Sequence, residues 1–203
     1  MRTSRVAIIN RGGANIASLR FALERLAVES ELTVDSKTIR SASHVILPGV
    51  GAAADAMNRL RNAGLDSVIP ELTQPVLGIC LGMQLLFEAS DENNAECLGV
   101  LRGTARQFEP VAKRPVPHMG WNRITRTHGD NAVGLLNGIP DGTYFYFLHS
   151  YALDVGPATV ANAIYGWNFS AVIKQDNFVA TQFHPERSGT NGAVLLSNFL
   201  NCC

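Results

Sequence analysis

Two short segments carry side chains that together make a nucleophile, a base and an orienting acid: Gly78-Ile79-Cys80-Leu81-Gly82-Met83-Gln84 and Phe183-His184-Pro185-Glu186. Val76, Leu77 and Ile79 form a short apolar run that predicts a buried parallel strand, and Leu85, Leu86 and Phe87 continue as an apolar helix face. Cys80 then falls on a strand-to-helix turn. Gly78 and Gly82 flank it as Gly-x-Cys-x-Gly, the thiol counterpart of the Gly-x-Ser-x-Gly nucleophile elbow. N–H groups at the helix start, with the helix dipole, favour thiolate over thiol there. A buried structural cysteine is the competing reading, since cysteines are among the most buried residues. The second segment decides between them. Pro185 biases His184 towards extended backbone and cannot donate to a ladder, so the chain leaves the sheet after a strand over 178–183. In extended chain, residues two apart point the same way. Glu186 therefore faces the imidazole of His184, sets its tautomer and stabilises the imidazolium formed when it takes the thiol proton.

Alternating elements must hold these groups. A strand over 6–9 is followed by a helix with Ile16, Leu19, Leu23 and Leu26 at helical spacing, then strands over 32–34 and 45–47 and helices over 52–62 and 65–72. The elbow strand and its helix come next. From Leu98 the pattern turns to shorter β-rich pieces between Gly, Pro and Asn, over 144–151, 159–165 and 178–183. A last helix has Val194, Leu195, Phe199 and Leu200 as its apolar stripe. This order predicts an α/β fold in one domain, 1–203: an open, mostly parallel sheet, helices on both faces, a later antiparallel portion, and the site at the strand C-termini.

Gly49-Val50-Gly51-Ala52-Ala53-Ala54 matches a dinucleotide fingerprint, but the acidic residue about 20 positions on is Glu71, which precedes the strand at Val76 instead of ending it. The elbow explains the loop better. An oxyanion hole needs the N–H after the nucleophile, here Leu81, and a second N–H from a neighbouring strand-to-helix loop, with glycines at 49 and 51 easing rotation of the peptide before Val50. Gln84 lies one helical turn beyond Cys80 on the same face, within reach of a substrate held against the thiol. His118 and His149 are rival bases, yet neither has a carboxylate two residues away; both read as structural or interface residues.

The sequence resembles the class I (triad) glutamine amidotransferases. Beside the elbow and His-Pro-Glu, the resemblance rests on Leu-Pro-Gly-Val-Gly at 47–51, Pro-His-Met-Gly-Trp-Asn at 117–122, Phe-Tyr-Phe-Leu-His-Ser-Tyr at 145–151 and Gln-Phe-His-Pro-Glu-Arg-Ser-Gly at 182–189. The Pro-His-Met-Gly-Trp-Asn and His-Ser-Tyr blocks are similar to a narrower branch, the glutaminase subunits of imidazole glycerol phosphate synthase. The resemblance implies a flavodoxin-like fold and glutamine hydrolysis by Cys80, His184 and Glu186 without a cofactor or metal. It also implies an oxyanion hole from Leu81 with Val50 or Gly51, and glutamine held by Gln84, Glu92, Ser150 and Tyr151. A carboxylate such as Glu92 suits the α-amino group of glutamine. The partner it implies is a TIM-barrel cyclase in a heterodimer, met by Asn15, Met119, Trp121, Tyr146 and Arg187. An amidotransferase subunit of anthranilate or aminobenzoate synthase is an alternative, disfavoured by the Pro-His-Met-Gly-Trp-Asn block. A non-catalytic regulatory subunit is another, opposed by the intact triad. The chain departs from the usual family opening at Asn10-Arg11-Gly12-Gly13-Ala14-Asn15, and Ala180 stands where the family has glycine.

Composition agrees. With 203 residues, 46% hydrophobic, the chain buries one α/β core but lacks room for a fused synthase, so ammonia must be used by another chain. Seventeen basic and 17 acidic residues give zero net charge, and no basic cluster suggests nucleic acid or an anionic membrane. A charged fraction of 17%, below the roughly 25% usual for soluble domains, is consistent with surface covered by a partner. The opening residues make neither a signal peptide nor a membrane span, which predicts a cytoplasmic protein. Four cysteines, with Cys202 and Cys203 as a terminal vicinal pair of free thiols, suggest no disulfide framework, and no Cys-x-x-Cys or His cluster argues for metal.

Overall fold

The computed structural model describes residues 5–9, 16–127 and 134–202. The opening segment 10–15, with Asn15, lies outside the described residues, as does Cys203. The first half runs β1 (Arg5–Ile9), α1 (Ile16–Arg25), β2 (Glu29–Thr33), α2 (Ser36–Ser41), β3 (His44–Leu47), α3 (Ala53–Asn62), β4 (Val76–Ile79) and α4 (Leu81–Leu85). Short strands follow: β5 (Ala89–Ser90), β6 (Ala95–Glu96), β7 (Thr104–Gln107), β8 (His118–Arg123) and β9 (Thr125–Arg126). The chain closes with β10 (Tyr144–His149), β11 (Tyr151–Ala152), β12 (Thr159–Tyr165), β13 (Trp167–Gln175), β14 (Phe178–Thr181) and α5 (Gly189–Cys202).

The main sheet has eight strands in the order β2-β1-β3-β4-β14-β13-β12-β9. Pairing is parallel from β2 through β14 and antiparallel from β14 to β9, the mixed sheet expected from the sequence. Its parallel strands are apolar on both faces because helices cover both. Val6, Ile8, Ile46 and Leu77 pack with Leu19, Leu23, Leu195 and Phe199 on one side, whereas Ala7, Ile9, Val45, Leu47 and Val76 pack with Met57 and Leu60 on the other. The elbow strand β4 lies at the middle of the sheet, where both neighbours are parallel and the strand C-termini open on one edge.

Several expected elements differ. No helix spans 65–72; a single 3-10 turn covers Ile69–Glu71. Gly64 at φ +64° ends the preceding helical path, and Pro70 has no N–H to continue one, although Leu65, Ile69 and Leu72 are buried as an apolar stripe would be. Helix α4 stops at Leu85 instead of running through Phe87. The carbonyls of Leu85, Leu86 and Phe87 accept instead from the N–H groups of Leu98, Leu101 and Gly99. Helix α2 arises where no apolar period marks it, because Asp35 caps it by accepting from the Thr38 N–H at 2.8 Å. Strand β13 is also beyond the apolar pattern, since Asn168 and Ser170 interrupt it. Ser170 is buried but satisfied, donating to the Asp154 carbonyl at 2.8 Å. Among the described residues, no helix is long and apolar enough to cross a membrane.

Candidate active site

Cys80 sits between β4 and α4 with φ +53° and ψ −110°, a conformation that costs an L-residue on the order of 1–3 kcal/mol. Its surroundings enforce the turn. The Cys80 N–H donates to the Thr181 carbonyl at 2.8 Å while its own carbonyl accepts from Met83 and Gln84, so sheet and helix pull on the same residue. A Cβ on Gly82 would stand 1.8 Å from the Leu47 carbonyl oxygen. Only glycine lets the helix seat this closely on β3, and this is the physical content of the elbow motif.

His184 follows β14, with its N–H donating to the Tyr146 carbonyl at 2.9 Å. Its Nδ1 lies 2.8 Å from Glu186 Oε1, both side chains 2% exposed, and its ring also hydrogen-bonds the Cys80 side chain. The fold thus brings together, in the order Cys80–His184–Glu186, the three side chains that the sequence put forward as nucleophile, base and orienting carboxylate. Burial is the largest single influence on His184 and opposes its charge, but Cys80 and Glu186 together outweigh it and raise its pKa from the ordinary 6.5 to about 10. The site thus favours the imidazolium form of His184. Glu186 Oε2 is buried with no hydrogen-bond partner among the described residues, and Oε1 holds the histidine.

Cys80 and His184 open on a cavity of about 240 Å³, below the roughly 300–1,000 Å³ of drug-sized sites and suited to something as small as an amino acid. The cavity brings together Val50, Gly51, Leu81, Gln84, Glu92, Ser150 and Tyr151, residues up to 101 positions apart in sequence numbering, Val50 to Tyr151. Gly51 adopts φ +93° with open space around it, so the loop following β3 has the backbone freedom expected of a rotatable donor. Glu92 accepts from the Ala53 N–H at 2.7 Å through Oε2, closing the start of α3. Burial, the largest influence, raises its pKa, while that N–H opposes the rise. A substrate ammonium would restore the charge balance there.

Gln84 is 3% exposed, and its Nε2 donates to the Tyr151 carbonyl at 2.8 Å and to Gln182 Oε1 at 3.2 Å. Both N–H bonds of its amide are engaged within the protein, so the group it retains for a ligand is the acceptor Oε1. This narrows the part its amide can take. Sequence reasoning gave no role to two other neighbours, Gln182, whose Nε2 is 3.7 Å from Cys80 Sγ, and Leu148, whose carbonyl accepts from the thiol at 3.5 Å; His149, set aside there as a rival base, also lines the cavity. For Gln182 the available signal was its place directly after a buried strand and two residues before His184.

His118 and His149 form a separate chain. Asn122 Nδ2 faces His118 Nε2 at 3.4 Å, His118 Nδ1 faces His149 Nε2 at 3.0 Å, and His149 Nδ1 faces the Tyr151 carbonyl at 2.8 Å. The terminal carbonyl can only accept, which makes both rings neutral Nδ1–H tautomers. Desolvation lowers them to about 4 and about 3. Both are buried and held in one hydrogen-bond chain that includes no carboxylate. The other residues expected at an interface lie on the two-stranded β8–β10 ribbon and beside it. Met119 is 67% and Trp121 56% exposed, Trp121 meets Tyr146 edge-on at 6.1 Å, and the Arg187 guanidinium lies 4.3 Å over the Tyr146 ring.

The family model "Glutamine amidotransferase class-I" matches residues 8–202. The chain belongs to this family, whose members take ammonia from the side-chain amide of glutamine. It is 48% identical over 195 residues to "Imidazole glycerol phosphate synthase subunit HisH" of Xylella fastidiosa (strain Temecula1), and 49% to the protein of that description from Xanthomonas axonopodis pv. citri, covering 96% of each chain in both cases. Solved structures share the fold: PurLQS of Thermotoga maritima at TM-score 0.73 and 18% identity over 99% of each chain, and the Trypanosoma brucei CTPS glutaminase domain with bound acivicin at TM-score 0.65 and 16% identity, over 97% of this chain and 94% of that one.

Proposed function

We propose that this chain is the glutaminase subunit of an imidazole glycerol phosphate synthase, a cytoplasmic enzyme domain that hydrolyses glutamine and passes ammonia to a cyclase subunit. The observation that carries the reading is the hydrogen-bonded order Cys80–His184–Glu186 beneath an amino-acid-sized cavity, in a chain 48% identical to a subunit of that synthase. His184 takes the Cys80 proton, and the thiolate attacks the side-chain amide carbon of glutamine. The Leu81 N–H and one from Val50 or Gly51 stabilise the tetrahedral oxyanion. His184 returns the proton to the leaving nitrogen, releasing ammonia and a glutamyl thioester. Water, deprotonated by His184, then cleaves the thioester to glutamate and regenerates Cys80. Glu92 receives the α-ammonium, Gln84 accepts through Oε1, and Ser150 and Tyr151 complete the cavity wall.

The partner is a TIM-barrel cyclase forming a heterodimer, docked on the exposed Met119 and Trp121 with Tyr146 and Arg187; exposed large aromatics beside an arginine are the residue types that anchor protein interfaces. A free subunit hydrolysing glutamine constantly would waste ammonia. The open loop at Gly51 gives a partner's ligand a peptide to reorient. Steady-state hydrolysis by the chain alone, with the cyclase, and with cyclase plus its nucleotide substrate tests this. Activity is expected to be low in isolation and to rise mainly in kcat when both are present. Full activity in isolation, unchanged by either addition, removes the switch. Failure of Cys80→Ala to abolish glutamine-dependent synthesis while sparing synthesis from ammonium salt removes the glutaminase assignment.

A further inference from the structure

Gln182 has no part in the mechanism so far, yet it touches the nucleophile. It is fully buried, its N–H is held by the Ala171 carbonyl at 2.9 Å, and its Nε2 lies 3.7 Å from Cys80 Sγ, within N–H···S range. The direction of this amide is determined from outside it. The Tyr151 carbonyl can only accept, so the Gln84 group 2.8 Å away must be its NH₂. That NH₂ also faces Gln182 at 3.2 Å, which requires an acceptor there. Gln182 Oε1 therefore points to Gln84, and its own NH₂ is left facing the sulfur. One main-chain carbonyl thus orients two side-chain amides in succession. The same carbonyl is held by His149 Nδ1 at 2.8 Å, so the start of this relay is itself fixed from two sides.

We propose that Gln182 is a positioning residue for the nucleophile: its amide N–H donates to the Cys80 sulfur, favours the thiolate and holds it in line with His184, while Gln84 and the Tyr151 carbonyl prevent the amide from turning over. The inference rests on Cys80 being the nucleophile. An anionic acceptor strengthens such a bond, and the thiolate is the state that benefits. Helix α4 has only five residues, so its dipole is small and side-chain donors carry more of the stabilisation than the elbow motif suggests. Were the amide reversed, a carbonyl oxygen would face the sulfur and two NH₂ groups would face each other between Gln84 and Gln182.

The test is the pH dependence of Cys80 alkylation by iodoacetamide, read on the Cys80 peptide by mass spectrometry, in the parent, Gln182→Met and the isosteric Gln182→Glu. For Gln182→Met the midpoint is expected to move up by about one pH unit, a roughly tenfold change in thiolate equilibrium, or about 1.4 kcal/mol. Gln182→Glu moves it further, because a carboxylate then faces the sulfur. In the holoenzyme kcat with glutamine falls by about tenfold for Gln182→Met, with KM changed less than about twofold. Gln84→Met, which frees the Gln182 amide to turn, shifts the midpoint in the same direction. A folded Gln182→Met protein with the parent's midpoint and kcat overturns the proposal; if that variant does not melt cooperatively, a parent-like midpoint in Gln182→Glu overturns it instead. Parent-like Gln182 variants beside an inactive Cys80→Ala remove only this role, whereas a Cys80→Ala protein active on glutamine removes the nucleophile assignment beneath it.

Discussion

Two sets of buried histidines reach the same cavity, through His184 and through His149, and differ in charge: one is held as an imidazolium, the other as neutral rings. His184, 2% exposed, is flanked by Glu186 and Cys80, and its pKa rises to about 10. His118 and His149 are also buried, but they hydrogen-bond each other, Asn122 and a main-chain carbonyl and pack among aromatic rings, and their values fall to about 4 and about 3. Burial acts in the same direction on all three. The difference is an anionic partner, which at close range in a medium of low polarity outweighs the loss of hydration. One wall of the cavity therefore holds a charged imidazolium, and the other is a neutral brace that holds the Tyr151 carbonyl through a directed hydrogen-bond chain.

The largest effect should separate the two walls directly. His184→Ala is expected to lower glutamine-dependent kcat by roughly 10⁴-fold or more, since base and acid are lost together, while leaving ammonium-dependent synthesis largely intact. His149→Gln should cost less than about tenfold in the same assay. Equal losses would mean that the neutral wall takes part in the chemistry and would break the comparison.

Glu186→Gln should fall between these, with kcat reduced roughly 10²–10³-fold, because the carboxylate orients and charges His184 without transferring the proton itself. The sign of its pH effect follows from the raised pKa. The imidazolium's contribution to stability is complete below pH 6.5 and is lost as pH rises through about 10. Removing Glu186 takes away part of what raises His184, so the alkaline limb of the activity profile and of the melting temperature should both move to lower pH. Unmoved limbs in the variant would show that Cys80 alone sustains the charge.

The smallest effect belongs to the neutral wall and has the opposite sign. His118 and His149 take up protons in the unfolded chain near pH 6.5 but not in the folded one until about 4 and about 3, so their contribution to stability is present above pH 6.5 and is lost as pH falls through those values. His118→Gln, which keeps a polar partner for His149, should reduce the fall in stability between pH 7 and pH 4.5 by on the order of 1–2 kcal/mol. Melting curves at the two pH values measure it; an unchanged fall would mean that carboxylates elsewhere govern acid unfolding.

The triad was legible because each of its halves is local. Gly78 to Gly82 must bend whatever surrounds them, and Glu186 must lie near His184 because only one residue separates them. The strands and most of the helices through β4 were legible for the same reason, as buried parallel strands and amphipathic helices each carry their own period, but the apolar stripe over 65–72 belongs to a turn and not to a helix. Elements decided by their termini were not: α4 ends where the amides of Leu98, Leu101 and Gly99 take its carbonyls, and α2 starts from a cap with no apolar period behind it.

By itself the sequence determined the mixed α/β sheet and the elbow and His-Pro-Glu segments that put Cys80, His184 and Glu186 forward as the proposed triad, since these follow from backbone chemistry over a few residues. Only the tertiary structure decided which protons the site holds and which polar groups are free. Gln84 reads as an available amide until the Tyr151 carbonyl, 67 positions away, and Gln182, 98 positions away, take both of its N–H bonds. Gln182 reads as an unremarked polar residue until folding places it beside Cys80, 102 positions distant. Hydrogen-bond direction and charge in a buried site depend on every neighbour that replaces water, and those neighbours are assembled from separate strands by the fold.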